Sequence, residues 1–124
     1  MSDGDVPTDV KEAIQKVCKS ATIANGLARG YREACWAIEK REAHFCVLAS
    51  DCDEPNYLII VKILFLCRKH EIPLIVAGTG KDLGEWASFY RKDKTLRPCA
   101  CVVVMDWGCE DQARYVIQEF LQRG

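Results

Sequence analysis

Four short apolar runs, separated by segments of helical period, leave this chain few ways to fold. Residues 27–29, 44–49, 74–77 and 100–105 read as strands, the last of them rich in valine. Val10, Ile14, Val17 and Ala21 recur at helical spacing across 9–21. Ala34, Ala37 and Ile38 mark the inward face of a helix over 31–41, and Ala113, Val116, Ile117 and Phe120 that of a helix over 110–122. Thr8, after Pro7, is the expected cap of the first helix, and Thr79 that of a short helix over 81–88. Asp53, Glu54 and Pro55 are expected to open a helix that runs to about His70. Its nearly continuous apolarity predicts deep packing. Strands that alternate with helices require crossover connections, a central sheet and helices on both faces, which is the α/β class. The loops then gather at the strand ends, where such folds bind ligands.

The length of 124 residues suits one domain, expected over 8–124 after a short disordered acidic tail at 1–7. Apolar residues at 49% against 28% charged fit a packed core rather than a disordered chain. The opening Met1-Ser2-Asp3-Gly4-Asp5 lacks the basic and apolar regions of a secretory leader. The longest apolar run, 57–67, is broken by Lys62 and is far short of a membrane span. A soluble, intracellular protein is expected. Most of the eight cysteines sit in apolar runs, where cysteine behaves as a small hydrophobe. Cys99 and Cys101, expected to share one strand face, could bind a metal with Cys109. No pair has zinc-ribbon spacing, however, and neither His44 nor His70 has an evident place beside them. No metal or other cofactor is expected.

Catalytic motifs are similarly incomplete. Gly78-Thr79-Gly80-Lys81 follows a strand, but a Walker A loop needs glycine six positions before its lysine and a hydroxyl just after it. Here those positions hold Ile75 and Asp82. His44 opens a strand and His70 closes a helix, and there is no Gly-x-Ser-x-Gly elbow. Asp51, Asp53 and Glu54 suit the capping of the helix they precede better than a metal site. An enzyme with a small-molecule substrate therefore lacks an assembled constellation.

The chemistry that remains points to nucleic acid. The 17 basic and 18 acidic residues nearly cancel, so any such site must come from local clustering. The turn at Ala28-Arg29-Gly30 leads straight into a helix, whose free N–H groups and positive dipole end suit phosphate. Arg32 can reach a phosphate or a guanine edge, and Glu33 can accept from a base amino group. Trp36, at i+4 from Arg32, can stack on a base. The loop over 89–98 carries Arg91, Lys92, Lys94 and Arg97 against the single acid Asp93, which suits phosphate contact. The same residues also suit a solvated helix start and a solvated loop. The residues alone leave open a protein-binding adaptor as the alternative.

At these positions the sequence resembles a known family. Arg29-Gly30-x-x-Glu33, Val47-Leu48-Ala49-x-Asp51-x-Asp53-x-Pro55, Ile72-Pro73-Leu74 and Leu83-Gly84 follow the pattern of the kink-turn-binding superfamily of ribosomal and snoRNP proteins. The likeness runs over about 9–122 and is nearest to a small-subunit ribosomal member of eukaryotes. It implies a three-layer α/β/α sandwich with a four-stranded mixed central sheet. It also implies no enzymatic activity and a structural place on rRNA in the head of the small ribosomal subunit. Neighbouring ribosomal proteins are then partners, membranes are not, and the location is the cytoplasmic ribosome with assembly in the nucleolus. In kink-turn binders the helix after the glycine begins Asn-Glu and carries a lysine one turn on. Here Gly30 and Glu33 match, Arg32 stands in place of the asparagine and Trp36 in place of the lysine. Lys81, Leu83 and Gly84 correspond loosely to the family's second contact loop. The resemblance thus assigns Arg29, Gly30, Arg32, Glu33, Trp36 and Lys81 to an RNA-facing edge, with different base chemistry at Arg32.

Overall fold

The alternation of side chains along each strand decides the layers. In the computed structural model, which describes residues 6–51, 57–108 and 111–123, the elements follow in the order α1 (Thr8–Ile23), β1 (Leu27–Arg29), α2 (Tyr31–Glu39), β2 (Phe45–Leu48), α3 (Tyr57–Lys69), β3 (Leu74–Val76), α4 (Gly80–Trp86), β4 (Cys101–Val104) and α5 (Gln112–Arg123). Phe45, Val47, Ile75, Val102 and Val104 face α1, α4 and α5. Cys46, Leu48, Cys101 and Val103 face α2 and α3. Two cores on the two faces of one sheet make an α/β/α sandwich. The strand order is β1-β4-β2-β3. β2 pairs β3 in parallel, while β4 runs antiparallel to both β1 and β2. The sheet is therefore mixed, and the central strands β2 and β4 are buried along their whole length. Its direction pattern brings the C-terminal ends of β1, β2 and β3 to one end, together with the start of β4.

Four helices end the same way, and the sequence gives little sign of it. After α1, α2, α3 and α4 come Asn25, Arg41, Glu71 and Ser88, all at positive φ between 53° and 62°. The next residue's N–H returns to the helix in each case: Gly26 to Ala21, Glu42 to Ala37, Ile72 to Cys67 and Phe89 to Gly84. These are Schellman ends built without glycine at the left-handed position. A side chain there costs about 1–2 kcal/mol. We expect Glu71→Gly to stabilise the protein by about 0.5–1 kcal/mol in urea unfolding, since glycine removes that strain and also a negative charge from the negative end of α3.

Several boundaries differ from the sequence reading. Pro7 rather than Thr8 is the cap of α1, and it has no side-chain bond to give. The opening turn expected at 53–55 lies outside the described residues, as do Cys52, Cys109 and most of the tail at 1–7. Asp51 caps a different helix from the one expected, since its Oδ1 accepts from the Gly80 N–H of α4 at 2.8 Å. Thr79 does cap α4, in a reciprocal box with Asp82. Cys99 and Cys101 do not share a face: β4 begins at Cys101, and Cys99 enters the α1 side of the core while Cys101 faces α2 and α3.

The largest difference is α3. Its apolar run was expected to pack deeply, yet among its described side chains Ile63, Leu66 and Cys67 are buried while Leu58, Val61, Leu64 and Phe65 are exposed. A helix lying on one face of a sheet buries a single stripe. Among the described residues, no layer covers Leu58, Val61, Leu64 and Phe65. No helix among the described residues is long and apolar enough to cross a membrane.

Among the described residues, the six cysteines are buried and reduced. Burial pushes the Cys18 thiol up to about 12, which is the behaviour of a packing residue rather than a nucleophile.

Candidate nucleic-acid interface

Gly30 opens the site. It follows β1 directly and caps α2 at φ 86°, a conformation that disfavours any side chain. Space is not the constraint, because a Cβ there would meet nothing within 4 Å. Its N–H donates to the Cys101 carbonyl at 3.0 Å, which fixes the start of α2 against β4. No side chain caps α2, so its first turn faces outward with Arg32 and Glu33 both exposed.

A cleft of about 420 Å3 lies beside this turn. One wall is Arg29, Gly30, Tyr31, Arg32 and Glu33, and the other is Phe89 with 97–100. The glycine-free end of α4 builds the second wall. Its terminal turn packs Phe89 against the α1 side of the core and leaves the carbonyls of Ala87 and Ser88 to a side-chain donor. The Arg29 guanidinium donates to both, at 3.1 and 3.3 Å, as a cation does at the negative end of a helix. The same guanidinium lies 5.3 Å from the Phe89 ring, and that of Arg97 lies 4.7 Å from it. The ring thus sits against two cations, an arrangement favoured by its quadrupole. Gly84 lets this wall approach α4, because a Cβ there would collide with the Arg97 carbonyl. Cys99, hydrogen-bonded through its N–H to the Gly80 carbonyl at 2.9 Å, ties the same segment to the start of α4.

The basic loop is a small hairpin rather than an open loop. Tyr90 and Leu96 bridge, and the Lys94 N–H closes the turn onto the Arg91 carbonyl at 2.9 Å. Asp93, the acid of this loop, accepts from both the N–H and the hydroxyl of Thr95, which holds its carboxyl below the usual range. The turn also carries Arg91, Lys92 and Lys94, all exposed.

The structure therefore brings Arg29, Gly30, Arg32, Glu33 and Arg97 to one cleft and places Arg91, Lys92 and Lys94 on the hairpin that leads into it. Trp36 does not line the cleft. It stands on α2, 51% exposed, with the Lys40 ammonium 4.1 Å from its ring. Lys81 is exposed in the first turn of α4 and is not part of the cleft either. The start of α4 is already occupied by the carboxylates of Asp51 and Asp82, which bond the N–H groups of Gly80 and Thr79. Tyr31 and Phe89 are the lining residues that motif reasoning passed over. Their signal was the placing of aromatics directly beside basic residues, as in Phe89-Tyr90-Arg91-Lys92. Among the described residues, no group of His, Cys, Asp or Glu is arranged to hold a metal ion.

Similarity to known proteins gives this geometry a context. A family model described as the ribosomal protein L7Ae/L30e/S12e/Gadd45 family matches residues 12–113. The small ribosomal subunit protein eS12 of Caenorhabditis elegans is 41% identical over 119 residues, covering 92% of this chain and 84% of that protein. The protein of the same name in Drosophila melanogaster is 39% identical over 135 aligned positions, covering 98% and 96%. That of Hordeum vulgare is 38% identical over 121, covering 94% and 83%. With a family model over most of its length and relatives at this identity over nearly all of it, the chain belongs to the ribosomal protein L7Ae/L30e/S12e/Gadd45 family.

Proposed function

We propose that this chain is a structural constituent of the small ribosomal subunit that binds rRNA in the subunit head, as one folded domain over 8–124 behind a short tail. The observation that carries this reading is the cleft at the end of the sheet. It combines a helix start without a side-chain cap, an arginine and a glutamate in the first turn, and an aromatic ring in contact with two guanidiniums. Relatives named as small-subunit proteins support the same reading. The chain acts by binding, not by catalysis, on ribosomes in the cytoplasm after assembly in the nucleolus, with neighbouring ribosomal proteins as partners.

The roles divide by chemistry. Arg32 and Glu33 read base edges, Trp36 supplies a stacking face, and Gly30 allows the backbone to approach. Arg91, Lys92, Lys94 and Arg97 contact phosphates, with Lys81 and Arg29 at the margins. Phosphate contacts leave a salt signature of about 0.7–0.9 in log–log slope for each one. Lys92→Gln with Lys94→Gln should therefore weaken binding to small-subunit rRNA and flatten its salt slope by about 1.4–1.8. An unchanged slope would remove the hairpin from the interface.

Sedimentation of a cell extract tests the assignment as a whole. The chain should comigrate with small subunits through a high-salt wash. Recovery only at the top of the gradient, with subunits intact, would instead support a protein-binding adaptor.

A further inference from the structure

Among the described residues, nothing covers the outer side of α3. Leu58 is 80% exposed and Phe65 63%, with Val61 at 44% and Leu64 at 42%. Positions 58, 61 and 65 follow the i, i+3, i+7 spacing of one helix face, and Leu64 lies beside them. Single exposed leucines are ordinary, but a contiguous apolar ridge is a surface that proteins normally cover. The ridge shares no residue with the cleft.

Charge tells what would cover it. The helix Tyr57–Lys69 carries Lys62, Arg68 and Lys69 and not one acid. At about 100° per residue, Lys69 falls along one border of the ridge and Arg68 along the other, while Lys62 turns to α2, its ammonium 5.7 Å from the Tyr31 ring. Phosphates could meet these cations but would leave Leu58 and Phe65 in water. A membrane-surface helix keeps its basic residues on the face opposite its apolar one, and here the opposite face is the packed stripe of Ile63, Leu66 and Cys67. An amphipathic helix answers both features, since its groove accepts the ridge and its borders can hold carboxylates.

We propose that the outward ridge of α3 docks a helix of a partner protein, with an apolar groove for Leu58, Val61 and Phe65 and carboxylates against Arg68 and Lys69. This proposal does not depend on the rRNA reading.

Two synthetic helical peptides of about 18 residues test it, long enough to span α3. They share one leucine face, bordered by glutamates in one and by lysines in the other. The full chain should bind the glutamate peptide about tenfold or more tightly than its lysine twin, with the gap closing at high salt. Leu58→Ser with Phe65→Ser should abolish binding while melting temperature and rRNA affinity stay unchanged. Arg68→Glu with Lys69→Glu should reverse the peptide preference. Equal binding of the two peptides, or binding of neither, would overturn the proposal. So would stronger capture by phosphatidylserine vesicles, or self-association that Phe65→Ser removes.

Discussion

Replacing Arg32 and Glu33 together by alanine is expected to weaken binding to small-subunit rRNA by about thirtyfold or more, with little change in melting temperature. Each well-placed polar contact to a base edge contributes about 1–3 kcal/mol of discrimination, and two of them give at least about 2 kcal/mol. Stability should hardly move because both side chains are exposed on the first turn of α2. Losing Glu33 removes a favourable charge at the positive end of the helix, and alanine's higher helix propensity offsets part of that loss. The effect should also differ in kind from that of the hairpin lysines. Base contacts set which sequence is preferred, so the double variant should lose discrimination against unrelated RNA while keeping its salt slope. Filter-binding titrations with rRNA and a scrambled control measure both. Unchanged affinity and discrimination would mean that the first turn of α2 does not face the RNA.

The second large effect falls on the core. Phe45→Ala should cost about 3–5 kcal/mol, read as a shift of the urea midpoint. Phe45 is fully buried on the central strand β2, and its ring packs 5.1 Å from that of Trp107. Val102 and Val104 on β4 and Ile117 on α5 belong to the same cluster. Truncation removes most of the ring's burial and leaves a cavity that a sheet held on both sides cannot close. A domain of this size has about 5–15 kcal/mol in total, so the variant should be close to unfolding at body temperature. A loss under 1 kcal/mol would show that this layer of the core is looser than its burial implies.

The sheet was legible from the sequence because two-residue alternation is local. Phe45 and Val47 declare one face and Cys46 and Leu48 the other without reference to anything distant. Gly30 was legible for a similar reason, as a glycine between an apolar run and a helical repeat. What escaped depends on residues far apart. Arg29 meets Ala87, Ser88 and Phe89 roughly sixty positions away, and no local pattern announces it. Asp51 looked like the cap of the helix that follows it and instead caps α4, because β2 and β3 are neighbours and bring their following loops together. The helix ends at Arg41, Glu71 and Ser88 were hidden because glycine, the usual marker, is missing from all three. α3 misled through composition. Apolarity without a clear period predicts burial, but a two-helix layer exposes whatever lies on its outer side.

On the proposed function, the end of the sheet carrying Gly30 and the 89–98 hairpin faces rRNA. Ultraviolet cross-linking of intact small subunits containing this chain, followed by identification of RNA-linked peptides, tests it most directly. Cross-links are expected within 29–36 and 89–100. Cross-links confined to α1, α5 or the outer ridge of α3, with the sheet end free of RNA, would contradict it.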